Sequence, residues 1–268
     1  MSPDSPMSYE NLLYAVEGGV ARITVNRPDK MNALNFSTIT ELGSAFDAAK
    51  ADESVRAVIL TGSGEKAFVA GADITELLAQ AGNAKGAADL AAFGQGVFRK
   101  LEHLGKPSIA MVNGFALGGG CELALSCTLR TASTNAKLGL PETSLGIIPG
   151  YGGSQRLARI AGPGVAREWI LTGDMFPAEE AHRVGVINRL FAPEDLEEGT
   201  QKMLKSILAK GPLAVKFGME LVLRGWDMDQ TSGEALETEY FGKAAETEDM
   251  REGMSAFVEK RRAAFQGK

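Results

Sequence analysis

The stretch AMVNGFALGGGCE, residues 110–122, decides how the rest of the chain reads. It opens as an apolar strand and turns at Asn113–Gly114. It then runs through Gly118, Gly119 and Gly120 to Cys121 and Glu122, where a helix should start. Three adjacent glycines give up backbone entropy, which a chain accepts where its backbone must approach something closely. A helix N-terminus just after them offers unpaired N–H groups and the positive end of the helix dipole. The stretch reads as a device for holding negative charge on backbone amides. The alternative is a tight strand-to-helix turn packed against a neighbour.

Working outward, Leu12–Val16 and Val20–Val25 alternate around Glu17-Gly18-Gly19, the pattern of a β-hairpin. Phe36–Lys50 has Ile39, Leu42, Phe46 and Ala49 at helical spacing. Val55–Leu60 is nearly continuously apolar, broken only by Arg56, as buried parallel strands tend to be. Asp73 is placed to cap a second helix start, with Glu76 closing a capping box. Gln80–Ala87 reads as a loop and Ala88–Leu104 as a helix in which Gly94 and Gly96 signal close packing. Further helices are expected at Ser154–Ile160, Gly164–Thr172 and Pro177–Val184, and a short strand at Val186–Ile187. From Pro193 the pattern is helical. A weak repeat of strand, glycine turn, extended piece and helix start recurs near 57–76, 108–124 and 128–145, the mark of a unit coiling on itself. The expected organisation is a leader at 1–8, a spiral ββα core at 9–192 and a helical region at 193–268.

With 268 residues, 44% of them hydrophobic and 23% charged, the chain can build a sizeable core. A net charge of −6 argues against nucleic acid as a partner. No apolar run approaches the ~20 residues of a membrane span. The first basic residue is Arg22, so neither a signal nor a transit peptide is expected, and a cytoplasmic location is. Cys121 and Cys127, if on one helix, stand ~9 Å apart along its axis. That exceeds the ~7 Å a disulfide allows, so they read as buried thiols. His103 and His182 are the only histidines, and no cluster has metal-ligand spacing, so no metal is expected. Neither a Walker loop nor a dinucleotide fingerprint is present, since Arg99 follows Gly94-Gln95-Gly96 where a third glycine should stand.

Two helix starts, Ala72–Asp73 and Gly119–Cys121, each follow a strand. If coiling brings them together, one N–H from each can converge on a single oxygen, forming an oxyanion hole. Glu122 and Glu142 lie on or near such turns, and paired carboxylates there can do acid/base work beside a carbonyl. Taken singly, each glutamate also reads as a solvated helix-end charge.

The segments NRPDKMNAL (26–34), AFVAGADI (67–74), VNGFALGGGCELA (112–124), GLPETSLGIIPGYGGSQRL (139–157) and EGMSAFVEKR (252–261) resemble the crotonase (enoyl-CoA hydratase/isomerase) superfamily, most nearly its hydratases. The resemblance spans about residues 10 to 266 and implies an α/β fold, a crotonase-like spiral of ββα turns with a C-terminal helical trimerisation region. It implies water addition, syn, across the C2–C3 double bond of a 2-enoyl-CoA. Ala72 and Gly119 would hold the thioester oxygen, Glu122 would orient the water and take its proton, and Glu142 would protonate C2. Lys30, Ala33, Ala70, Ala72, Asp73, Ile74 and Gly119 would lie along the coenzyme A moiety. Phe257 and Lys260 would reach it from a neighbouring subunit of a homotrimer or a dimer of trimers. Coenzyme A is part of the substrate, so no separate cofactor is implied. The alternative is Δ3-Δ2 enoyl-CoA isomerisation or hydration in another acyl-CoA pathway. Thr75 departs from the pattern, standing where relatives often carry lysine near the phosphates.

Overall fold

A computed structural model describes residues 9–268, so the leader expected at 1–8 lies outside the described residues. The chain divides into two units, the first running to Leu104 and over Ser108–Thr200, the second comprising Gly105–Pro107 and Gln201–Lys268.

The first unit is a mixed α/β body built on two sheets. The hairpin β1 (Leu12–Glu17) and β2 (Val20–Val25) pairs in register from Leu12↔Val25 to Glu17↔Val20. Helix α1 (Phe36–Ala51) follows, and Ile39, Leu42, Phe46 and Ala49 are all buried. Three units of the repeat come next. They are β3 (Ala57–Gly62), β4 (Ala67–Val69) and α2 (Ile74–Leu78); then α3 (Ala84–Glu102), β5 (Ser108–Val112), β6 (Phe115–Leu117) and α4 (Gly119–Leu125); then β7 (Leu129–Ser133), β8 (Lys137–Gly139) and a 3-10 turn at Pro141–Leu145. Strands β3, β5 and β7 pair in parallel in one sheet, and β4, β6 and β8 in the other. Each repeat therefore adds one strand to each sheet and ends at a helix or turn start, which stacks those starts beside one another. Helix α5 (Gly153–Thr172) is broken at Gly162–Pro163, as its proline requires. Strand β9 (Phe176–Pro177), α6 (Ala178–Arg183) and β10 (Arg189–Phe191) complete the sheets in the order β1-β2-β3-β5-β7-β10 and β4-β6-β8-β9. Phe46, Phe68, Phe98 and Trp169 are among the largest side chains fully buried in the core.

Several elements differ from expectation. Helix α3 begins at Ala84, because the Asn83 side chain accepts the Gly86 N–H and caps it. The alanines there are strong helix formers, so residues 84–87 belong to the helix. Strand β3 starts at Ala57, after a turn that donates the Val55 N–H to Asp52. Val186 and Ile187 are buried, yet Ile187 N–H turns back to Ala181, and pairing with β7 begins only at Arg189↔Thr131.

The second unit is helical. Helix α7 (Leu196–Leu208) enters it, followed by α8 (Pro212–Gly225), α9 (Gln230–Ala245) and α10 (Glu248–Val258). Phe217 of α8 meets Tyr240 of α9 edge-on at 5.4 Å, and the Tyr240 hydroxyl donates to Glu220. The Asp249 carboxylate accepts the Gln266 and Gly267 N–H groups, tying the tail to the start of α10. Met254, Phe257 and Val258 of α10 are exposed, and the helix buries Asp249 and Ala256. Among the described residues no helix is long and apolar enough to cross a membrane.

Candidate active site

Ala72 forms a parallel bridge with Leu34, in which the flanking residues carry the bonds. Leu34 N–H donates to Gly71, and Asp73 N–H donates to Leu34. The Ala72 N–H therefore points to the other side of the strand. Gly119 is the first residue of α4, and its N–H is one of those a helix start leaves unpaired. Among the described residues neither N–H has an acceptor. A Cβ built on Gly119 would lie 3.6 Å from the Ala72 nitrogen, so the two donors are neighbours.

Asp73 caps α2 by accepting the Thr75 N–H, but the expected capping box is not formed. The Asp73 N–H is taken by Leu34, and the Glu76 carboxylate accepts the Phe36 N–H at 2.7 Å instead. The same neighbourhood gathers most of the remaining positions. Lys30 ends an exposed 3-10 turn, Ala70 N–H donates to Met31, and the Ala33 carbonyl accepts from Arg27. Arg27 also pairs with Asp73 at 3.4 Å, and Ile74 is exposed. Lys30, Ala33, Ala70, Ala72, Asp73 and Ile74 are thus assembled by two short segments. Phe257 and Lys260 belong to the second unit, the first in the last turn of α10 and the second just past its end.

Glu122 is 1% exposed, on α4. Its Oε1 accepts the N–H groups of Tyr151 (2.8 Å) and Gly153 (2.7 Å), the latter being the first residue of α5. Burial pushes its pKa up to about 7 and the Glu142 charge adds to this, while the Gly153 and Tyr151 N–H groups and Arg156 pull it back. Glu142, in the 3-10 turn at Pro141–Leu145, is also raised by burial. Its Oε2 is buried with no hydrogen-bond partner among the described residues. A carboxyl poised near neutrality can both accept and release a proton, which is what acid/base catalysis requires.

The three glycines take different parts. Gly118, with φ +49° and ψ −123°, caps α4 in a conformation that side chains avoid. A Cβ there would come within 3.0 Å of Glu142 Oε1. Gly118 therefore leaves room for the Glu142 carboxylate beside the start of α4. A Cβ on Gly120 would collide with the Val69 carbonyl, so Gly120 allows α4 to sit on β4.

Sequence reasoning missed the grip on Glu122. In the sequence Pro149–Gly153 is itself a glycine-rich bend before a helix, the same grammar as Gly118–Gly120. Nothing local shows that its amides serve a carboxylate 29 residues earlier.

A family model described as enoyl-CoA hydratase/isomerase matches residues 15–268. The chain is 46% identical over 259 residues to the crotonyl-CoA hydratase of Syntrophomonas wolfei, covering 97% of this chain and 99% of that one. It is 45% identical over 256 residues to the short-chain-enoyl-CoA hydratase of Clostridium acetobutylicum, covering 96% and 97%. The crystal structure of an enoyl-CoA hydratase from Bacillus anthracis superposes with a TM-score of 0.91 at 37% identity, covering 97% of this chain and all of that one.

Proposed function

Since the chain belongs to the enoyl-CoA hydratase/isomerase family, we propose that it is a hydro-lyase adding water syn across the C2–C3 double bond of a short 2-enoyl-CoA. The observation that carries this reading is the convergence of two buried carboxylates, both with proton affinity raised by burial, with two unpaired amides. The thioester oxygen accepts the Ala72 and Gly119 N–H groups. Charge develops on that oxygen as the bond order shifts, and each such donor contributes roughly 3–4 kcal/mol to the transition state. Ionised Glu122 takes a proton from water as the water oxygen bonds to C3. Protonated Glu142 gives its proton to C2, and transfer of a proton from Glu122 to Glu142 restores the pair. The product is a 3-hydroxyacyl-CoA.

The coenzyme A moiety runs along Lys30, Ala33, Ala70, Asp73 and Ile74, and no cofactor beyond this substrate enters the reaction. Phe257 and Lys260 complete that path from a neighbouring subunit of a trimer or a pair of trimers. The exposed Met254, Phe257 and Val258 on α10 support self-association.

The test is to supply crotonyl-CoA and its Δ3 isomer separately and identify the products. Hydration of crotonyl-CoA to the 3-hydroxy ester is expected. Isomerisation of the Δ3 ester with no hydration of either would overturn the reading.

A further inference from the structure

Glu122 is held by a loop that is itself held from behind. Residues 150–153 lie against one face of α3, and three successive peptide units of the loop are each fixed. A trans peptide points its C=O and N–H in opposite directions. In the Gly150–Tyr151 unit, the Gly150 carbonyl accepts from Gln95 Nε2 of α3 at 2.9 Å, while the Tyr151 N–H donates to Glu122. In the next unit, the Tyr151 carbonyl accepts from Arg156 Nη1 at 2.8 Å. In the third, the Gly152 carbonyl accepts the Gln155 and Arg156 N–H groups, while the Gly153 N–H donates to Glu122.

Arg156 is in turn anchored to the last residue of α3. Its Nε and Nη2 donate to the two oxygens of Glu102 at 3.2 and 3.1 Å, a fork-on-fork pair largely shielded from water. The Tyr151 ring packs edge-on to Phe98 at 5.5 Å. It sits over Gly94, where a side chain would collide with it, and reaches Gly119 on its other side. Gly94, Gln95, Phe98 and Glu102 thus form one gripping face of α3.

We infer that α3, through Gln95 and the Arg156–Glu102 pair, is the positioning scaffold of Glu122, aiming the Tyr151 and Gly153 amides at a single carboxylate oxygen. The inference rests on Glu122 being a reacting carboxylate. It makes Gln95, Glu102 and Arg156 positioning residues, acting on Glu122 through the loop's amides. The charged and titratable groups facing Glu122 are Glu142 from its 3-10 turn, Tyr151 and Arg156 from the loop and α5, and Cys121 from its own helix. Of these only Arg156 favours the ionised form. Removing it, or releasing the amides, therefore raises the pH at which Glu122 titrates.

The test compares Gln95→Leu, Arg156→Met and Arg156→Lys with the intact enzyme by two readouts. The first is kcat and KM for crotonyl-CoA. The second is the infrared titration of the Glu122 carboxyl, isolated by subtracting the Glu122→Gln spectrum. Gln95→Leu and Arg156→Met are expected to lower kcat about 10-fold each, the scale of a small misplacement of a reacting group, with KM within about 2-fold. Both shift the Glu122 titration to higher pH, and Arg156→Lys, which keeps the charge, shifts it less than Arg156→Met. Variants that melt earlier but keep wild-type kcat and wild-type Glu122 titration would reduce the clamp to a packing feature and overturn the inference. If the intact enzyme fails to hydrate crotonyl-CoA, the hydratase reading falls, and the titration of the same variants still decides this one.

Discussion

Replacing Glu122 with Gln should make the protein more stable at pH 8 while removing its activity. The carboxyl is 1% exposed, and burial raises its pKa from the ordinary 4.5 to about 7. Between those values the folded chain holds a proton that the unfolded chain has released. Stability therefore falls as pH rises through that window. Above pH 7 the ionised group costs about 3 kcal/mol, at about 1.4 kcal/mol for each tenfold in proton affinity. Gln keeps an oxygen for the Tyr151 and Gly153 N–H groups and carries no charge, so it avoids this cost. It also relieves Glu142, whose charge opposes ionisation of Glu122. Urea unfolding of both proteins at one concentration, at pH 5 and pH 8, measures the difference. The variant should exceed the wild type by up to about 3 kcal/mol at pH 8, with the gap closing towards pH 5. A wild type as stable as the variant at pH 8, or a gap that ignores pH, would refute the claim that burial sets the proton affinity of Glu122.

Gly118→Ala should lose both stability and rate. The backbone conformation alone costs about 1–3 kcal/mol, and the new methyl group displaces Glu142 Oε1. A variant that melts earlier but turns over normally would show that Glu142 tolerates the displacement. Asn113→Ala should lower the unfolding free energy measured by urea titration by about 2 kcal/mol with kcat largely kept. Its side chain joins the β5–β6 turn to the β3–β4 loop, donating to Gly62 and Gly64 at 3.0 and 2.8 Å and accepting the Gly62 N–H. A loss below about 0.5 kcal/mol would show that water replaces those bonds.

The spiral was legible because its logic is local. Each turn needs an apolar strand, a glycine bend and a helix start, and these recur at 57–76, 108–124 and 128–145. Ala72, Gly119, Glu122 and Glu142 stood out because unusual backbone grammar fell beside a carboxylate. What resisted reading depends on partners far along the chain. Gly94 and Gly96 look alike in sequence, yet only Gly94 faces the Tyr151 ring, while a Cβ at Gly96 would meet open space. Gln95 and Arg156 are ordinary helix residues until the fold brings Gly150 and Glu102 to them, 55 and 54 residues away. Glu76 fitted a capping box by spacing, but a parallel bridge had already claimed the Asp73 N–H. Tertiary pairing overrode a good local signal there.

In the proposed reaction Glu122 and Glu142 act as a unit, Glu122 on the water and Glu142 on C2. Crotonyl-CoA hydration by Glu122→Gln, Glu142→Gln and the double variant tests it most directly. Each single variant should lose about 10²–10⁴-fold in kcat, the range for a lost acid or base. The double variant should be little slower than either, because a unit broken once has little left to lose. Losses that multiply in the double variant, or a single variant with near-normal turnover, would contradict it.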